Sequence, residues 1–428
     1  MELASRLDEA AARLSRRSSV RVVAHHDADG IAAAAILFQA LARRGASVQI
    51  TATSRVSPEL RADLAGEEAV VFCDLGSQAA SGADGRAEVI HLDHHPLAAG
   101  LPGLVVNPWL DGLDGTEAVS SAGLAYLLAR RLGPCGDLAG VALAGTLSDR
   151  QPVAGLNREI LDDGIRAGSV RVERGPRIPG DARTPVRDAL LHLAEPWTDI
   201  AGDPGAVGRF LETLSLDGSL GLRELAPDST EALGRGLDGL RRSAEPAPLM
   251  GEVYTLPRGA VGEALLLGTV LNCAGYSGEP SVGIALACGD GRLRERGLDL
   301  WRKFQGRLIG ALRTLRPEES RLLRVVRAPE RSLGGALASV AARCFPADRP
   351  LLVLHEGPGG VKVSARALRP LRERGVDLGE ALGRAASRLG GAGGGHPVAA
   401  GATLPAGTAG EFLASVEEMV GGQLGGGT

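Results

Sequence analysis

The stretch Ile90-His91-Leu92-Asp93-His94-His95 decides how this chain is read. It reads as a buried strand that ends in three side chains able to bind metal. Carboxylates and imidazoles are costly to bury unless something compensates them. Three other segments end an apolar run in the same way: His25-His26-Asp27-Ala28-Asp29-Gly30, Phe72-Cys73-Asp74 and Leu147-Ser148-Asp149. Four such endings in the first third of the chain point to one shared compensator, a bound metal.

Around these segments strands alternate with helices. Val20–Ala24, Val48–Ala52, Ala69–Cys73 and Glu88–Leu92 read as strands, with Val105–Val106 as a fifth. Ile31–Arg43, Ser120–Arg131 and Leu138–Leu147 read as helices, and Leu3, Leu7, Ala10 and Leu14 fall on one helical face. This alternation predicts an α/β fold, a parallel sheet with helices on both faces. Such sheets bind ligands beyond the carboxyl ends of their strands, where all four clusters can converge.

Three domains are expected: 1–170, a helical middle region over 171–262, and a smaller α/β domain over 263–428. Arg171–Thr184 reads as an exposed loop and Pro185–Leu256 as mostly helical, with a Pro/Ala turn at Glu245–Pro248. Ala264–Thr269 and Ser281–Ala287 read as buried strands, and Leu298–Leu315 as a helix. Leu351–Glu356 and Val361–Ala365 read as a hairpin, followed by a helix over Leu378–Leu389. The run Gly390 to Gly395, ending in His396-Pro397, reads as a turn or a phosphate-binding loop in which Pro397 starts a short helix. The Gly-rich tail from Gly421 is expected to fray.

The net charge of −4 argues against the whole surface gripping a polyanion, so any nucleic acid needs local patches. Nearly every basic residue is Arg; only Lys303 and Lys362 are Lys. Aromatic residues, at 3 %, are too scarce for an extended base-stacking platform. Five cysteines without CxxC spacing read as buried thiols in a reducing compartment. No apolar run approaches membrane-spanning length and no signal peptide is read, so a cytoplasmic protein without a membrane partner is expected.

Each cluster also has a plainer reading. His25, Asp27 and Asp29 occupy a strand-to-helix loop, which could be a capping loop. Asp74 could be a turn residue, and Asp149 a solvated residue after a helix. Asp93-His94-His95 carries the clearest signal. Neighbouring side chains on a strand point opposite ways, so His94 and His95 need not share one ion, and Asp93 can orient a ring. An Asp/His set without Cys favours Mn²⁺, or Mg²⁺, over structural Zn²⁺. Two such ions roughly 3.5–4 Å apart suit phosphoryl chemistry, activating water and stabilising charge on phosphate and leaving oxygen.

Taken together, His25-x-Asp27-x-Asp29-Gly30, Asp74, Asp93-His94-His95, Asp149 and Gly393-Gly394-Gly395-His396 resemble, in order, the motifs of the DHH phosphoesterase superfamily with its DHHA1 substrate-binding domain. Val363-Ser364-Ala365-Arg366 resembles that second domain as well. Leu193–Trp197 and Leu271–Gly275 are similar to segments of archaeal RecJ-type nucleases, some of which associate with the GINS replication complex. That pattern favours Arg where Tyr276 stands. The resemblance implies two Mn²⁺ ions on His25, Asp27, Asp29, Asp74, His94 and Asp149, with Asp74 bridging and Asp149 the other candidate bridge. It implies that His95, Asp93 and His94 form the catalytic set, with Asp93 mainly behind the ligands and His95 contacting phosphate or assisting the leaving group, and that Ser364, Arg366, Gly393, Gly394, Gly395 and His396 hold the strand.

The expected function is a single-strand exonuclease acting on DNA, with RNA as an alternative, in replication or repair. The competing readings are a phosphodiesterase or phosphatase for short oligonucleotides or cyclic dinucleotides, and a replisome scaffold that binds GINS.

Overall fold

The computed structural model describes residues 2–76, 87–97, 100–242 and 248–425. The chain forms two compact units. The first is Met1–Val186, Ser219–Glu231 and Met250–Arg302; the second is Arg187–Gly218, Ala232–Leu249 and Lys303–Thr428.

The chain opens with α1 (Leu3–Leu14), β1 (Ser19–His25), α2 (Ala28–Ala42), β2 (Ser47–Thr53), α3 (Pro58–Leu64), β3 (Ala69–Cys73), β4 (Glu88–Leu92) and β5 (Leu104–Val106). Leu3, Leu7, Ala10 and Leu14 of α1 are buried, as their spacing predicts. The five strands are parallel and lie in the order β2-β1-β3-β4-β5. On one face of this sheet Val23, Val70, Phe72 and Val89 pack with Leu64 of α3. α2 lies against β1 and β2; its alanines Ala32 to Ala35 favour helix and are fully buried.

Strand order reverses at β1, with β2 on one side and β3 on the other. The carboxyl ends of β1 and β3 therefore flank a crevice of the kind in which such sheets hold ligands. His25 ends β1, Asp74 follows β3 and Asp93 follows β4.

Next come α4 (Ser121–Leu132), α5 (Ala139–Ser148), α6 (Gly155–Arg166), β6 (Arg171–Pro176), α7 (Val186–Leu191), α8 (Pro204–Thr213), α9 (Pro227–Leu240) and β7 (Met250–Thr255). The loop expected from Arg171 begins instead as β6, which pairs antiparallel with β7. Its Gly and Pro sit at the strand's end, where they break nothing. The Pro/Ala turn read at Glu245–Pro248 falls mostly outside the described residues.

α10 (Ala264–Tyr276) and α11 (Pro280–Ala287) replace the two buried strands expected there. Both segments are apolar on all sides, so their hydrophobic pattern shows no period. Their ends favour helix: the Glu263 carboxylate caps α10 by accepting the N–H groups of Leu265 and Leu266, and Pro280 occupies the first turn of α11.

The remaining elements are α12 (Arg294–Arg313), β8 (Glu318–Glu319), β9 (Arg324–Arg327), α13 (Gly334–Cys344), β10 (Leu351–Gly357), β11 (Gly360–Arg366), α14 (Arg369–Glu373), α15 (Leu378–Arg388), β12 (Ala392–His396), β13 (Ala399–Leu404) and α16 (Ala409–Gly425). The second unit's sheet runs β12-β13-β11-β10-β9-β8. β10 and β11 form the expected hairpin, closed by Gly357 and Gly360. Val361, Val363 and Ala365 point into a core shared with Leu378, Leu382 and Phe412.

The glycine run forms β12, antiparallel to β13, and Pro397 lies in the connecting turn rather than starting a helix. Gly carries no side-chain signal of either period, so only the partner strand decides. The tail also differs from expectation. α16 continues to Gly425 because Phe412, Val416 and Val420 bury one face of it in the core. Among the described residues no helix is long and apolar enough to cross a membrane.

Candidate metal centre

The side chains read as metal ligands converge at the carboxyl end of the first unit's sheet. His25 Nδ1 lies 2.7 Å from Asp27 Oδ2 and 3.6 Å from Asp74 Oδ2. His94 Nε2 lies 3.4 Å from Asp74 Oδ1, 3.2 Å from Asp149 Oδ2 and 3.9 Å from Asp29 Oδ2. Asp74 thus presents one oxygen to each histidine. His25, Asp27 and Asp74 make one group with metal-binding spacing, and Asp29, Asp74 and His94 a second.

Local structure explains each placement. Asp27 caps α2 by accepting the Gly30 N–H at 3.2 Å, so the capping reading is right without excluding the other. Asp29, fully buried, accepts the N–H groups of Ser121 and Ala122 at 2.7 and 3.0 Å, at the positive end of α4. Asp74 has φ 60°, the left-handed region that Asp and Asn tolerate best. Its N–H donates to Leu92 O at 3.1 Å, which ties β3's end to β4.

Asp93 does not face the same nitrogens. Its Oδ1 accepts from the His95 backbone N–H at 2.8 Å and pairs with His95 Nδ1 at 2.7 Å, while Oδ2 accepts the Gly76 N–H. It therefore orients the His95 ring. His94 is fixed from behind: Nδ1 lies 2.8 Å from Gly115 O, so in the neutral ring Nδ1 carries the proton and the Nε2 lone pair faces the aspartates. Gln151 donates to Gly115 O at 2.9 Å and steadies that carbonyl. A Cβ at Gly115 would fall 2.0 Å from His94 O, so only glycine allows this approach.

The charges are crowded. Burial, then the carboxylates of Asp149 and Asp74, push Asp29 well above its usual range. Burial and Asp27 likewise raise Asp74. Burial works against a charged His94 as well, but hydrogen bonds to Asp149 and Asp74 and the charges of Asp149 and Asp29 raise it well above an ordinary histidine. Burial would also raise Asp27, yet the charge of His25 and its hydrogen bond hold that carboxyl below its usual range. Buried carboxylates that repel one another in an oxygen and nitrogen donor set suit a hard divalent cation, whose charge reverses the penalty. The residues present therefore fit the group.

Sequence reasoning missed several supports. Gly115, Gln151 and the Ser121 and Ala122 amides carry no pattern of their own. Asn272 on α10 is the most distant in sequence: its Oδ1 accepts the Ala28 N–H at 2.8 Å, between Asp27 and Asp29. Asn272→Leu removes that acceptor at similar volume. We expect it to weaken Mn²⁺ binding roughly 10–100-fold, the usual scale for groups that hold metal ligands in place. Calorimetric titration with MnCl₂ measures this, and a wild-type affinity would dismiss the role.

The C-terminal residues form their own constellation on the second unit's sheet. Arg366 and His396 lie in one register row on either side of Ala399, and Ser364, Gly401 and Gly394 form the next row but one, on the same face. Arg366 Nε donates to Ser339 Oγ at 3.0 Å. The glycines differ in purpose. A Cβ at Gly393 would meet Leu382 O at 2.8 Å, whereas at Gly394, with φ 151°, it would meet nothing within 4 Å. Gly393 lets α15 pack closely, and Gly394 leaves the opposite face of the strand bare.

Comparison with known proteins adds the following. Residues 19–146 match the DHH family N-terminal domain and residues 334–422 the DHHA1 domain. An uncharacterised protein of Methanocaldococcus jannaschii is 28% identical over 431 residues, covering 96% of this chain and 95% of that one. The single-stranded-DNA-specific exonuclease RecJ of Thermus thermophilus is 32% identical over 182 residues, covering 38% of this chain and 27% of RecJ. The structure of Thermus thermophilus RecJ in complex with Mn²⁺ superposes with a TM-score of 0.62 at 23% identity, covering 97% of this chain and 55% of that one. CDC45 from Entamoeba histolytica gives 0.66 at 12% identity, covering 98% and 99%. At these identities the structural likeness concerns the fold.

Proposed function

The chain belongs to the DHH family and carries a DHHA1 domain, and on that footing we propose that it is a RecJ-like exonuclease. It hydrolyses the phosphodiester bonds of single-stranded DNA, with RNA as the alternative strand, and uses two Mn²⁺ ions or Mg²⁺ in their place. The observation that carries this reading is the position of Asp74, whose two carboxylate oxygens face His25 and His94 separately. His25, Asp27 and Asp74 would hold one ion. Asp29, Asp74, His94 and Asp149 would hold the other. When bound, the pair supplies positive charge at the phosphate and lowers the pKa of water.

The protein's own groups do the rest. Asp93 fixes the His95 ring, and His95 contacts the phosphate or passes a proton to the leaving oxygen. Ser364, Arg366, Gly393, Gly394, Gly395 and His396 hold the strand's phosphate, Arg through its planar fork and the glycines by letting it approach the edge strand β12, whose amides not bonded to β13 stay open.

The test is to incubate purified protein with Mn²⁺ and labelled DNA and RNA single strands of each polarity, beside a dinucleotide. Mononucleotide release from the long strands, faster than dinucleotide cleavage, is expected. Release from neither DNA nor RNA ends the proposal. Cleavage of the dinucleotide alone would leave the small-substrate phosphodiesterase.

A further inference from the structure

The second unit carries two cations that its own acids do not neutralise. Lys362 lies on β11, and Arg331 sits shortly before α13. Among the described residues neither side chain has a hydrogen bond or an acidic partner. The nearest acids along the chain are already engaged: Glu330 pairs with Arg307 at 2.6 Å, and Glu356 pairs with Arg327.

Register places Lys362 between His355 of β10 and Thr403 of β13. Alternate residues of a strand share a face, so Lys362 lies on the face of Ser364 and Arg366. Glycines open that face beside it: Gly401 stands opposite Ser364, and a Cβ built on Gly401 would lie 3.9 Å from Lys362 Nζ. Arg331 reaches the turn that leads into β11, its Nη1 3.6 Å from where a Gly359 Cβ would be. Burial lowers the Lys362 pKa, and the charge of Arg331 lowers it further. Half-burying Lys362 beside the exposed Arg331 guanidinium costs free energy that no side chain of this unit recovers. An anion would recover it.

We propose that Lys362 and Arg331 form a subsite for a second backbone phosphate of a single-stranded nucleic acid, beyond the phosphate held at Ser364 and Arg366. The identity of the polyanion rests on the nuclease reading; the subsite itself rests on the two cations. Four residues of strand separate Lys362 from Arg366, a span of roughly 13 Å. That span is longer than one step between neighbouring phosphates, so an extended strand can place separate phosphates of its backbone at the two positions. The ligand is therefore an oligonucleotide with at least two phosphates.

The experiment measures binding of a short fluorescent single strand to the full chain in EDTA, so that turnover does not intervene, across a salt series. Variants are Lys362→Gln, Arg331→Gln and Lys362→Arg. Each Gln variant is expected to reduce the slope of log K against log salt by about 0.7, the single-strand value for one lost phosphate contact. Lys362→Arg should restore it. Affinity for dAMP, measured by calorimetry, should stay at the wild-type level. Wild-type slopes in both Gln variants would overturn the subsite, as would an equal loss of dAMP and strand binding, or a wild-type protein that binds no strand. A wild type that shows these slopes yet releases no mononucleotide in Mn²⁺ would sink the nuclease reading and leave the subsite standing. Hydrolysis with unchanged slopes would do the reverse.

Discussion

Asp74→Asn is expected to slow strand hydrolysis about a thousandfold, some 4 kcal/mol of barrier, and to abolish the rise in melting temperature that Mn²⁺ gives the wild type. Asp74 is 4 % exposed and has a separate oxygen for each of two histidines. Its loss removes a ligand from both groups at once. A ligand that binds only the folded state stabilises it by about 2.7 kcal/mol at a hundred times its dissociation constant, so the lost thermal shift is readily measured. Asparagine is the proper replacement because position 74 has φ 60°. Alanine there would add roughly 1–2 kcal/mol of backbone strain and confuse the readout. Asparagine keeps the conformation and an acceptor for Ser121 Oγ, which donates at 3.2 Å.

The metal-free proteins should differ in the opposite direction. Burial and the neighbouring Asp27 already penalise a charged Asp74. Metal-free Asp74→Asn should therefore melt above metal-free wild type, and below it once Mn²⁺ is added. A variant that kept its Mn²⁺-dependent shift would show that Asp74 holds no cation.

Gly275→Ala should be nearly as damaging, although glycine to alanine within a helix is usually favourable. A Cβ on Gly275 would lie 1.6 Å from the His26 carbonyl oxygen and 2.8 Å from its carbon. These are backbone atoms of the loop that carries His25 and Asp27, so no side chain can swing aside. Either α10 or the loop must move by more than an ångström. Overpacking typically costs about 1–3 kcal/mol, and rigid backbone puts this case at or above the upper end. We expect a lower melting temperature and at least tenfold weaker Mn²⁺ binding. Gly306→Ala is the control: its Cβ would meet nothing within 4 Å on α12, and relief from glycine entropy should stabilise the helix by roughly 0.5–1 kcal/mol. Wild-type stability and Mn²⁺ affinity in Gly275→Ala would mean that α10 does not press on the loop.

Much of the first unit was legible from residue order. Val20–Ala24, Ala69–Cys73 and Glu88–Leu92 are short apolar runs bounded by turn formers, and they appear as β1, β3 and β4 almost to the residue. The alternation with Ala-rich helices implied a parallel sheet and placed the acidic endings on one edge of it. The segments of α10 and α11 read as strands because their apolar residues occupy every side and show no helical period. A fully buried helix and a fully buried strand look alike when neither has a wet face.

What the sequence determined by itself is what neighbouring residues encode: hydrophobic period, turn chemistry, and which carboxylates and imidazoles follow each strand. Tertiary structure decided the rest. It gave Asp74 an oxygen for each histidine, and it set the His94 tautomer through Gly115. It brought Asn272 to the Ala28 amide across 244 positions and paired the glycine run with β13. The physical reason is the same in each case: a hydrogen bond or a strand pairing between distant segments leaves no periodic trace in either one. Glycine, without a side chain, accepts whichever partner the fold delivers.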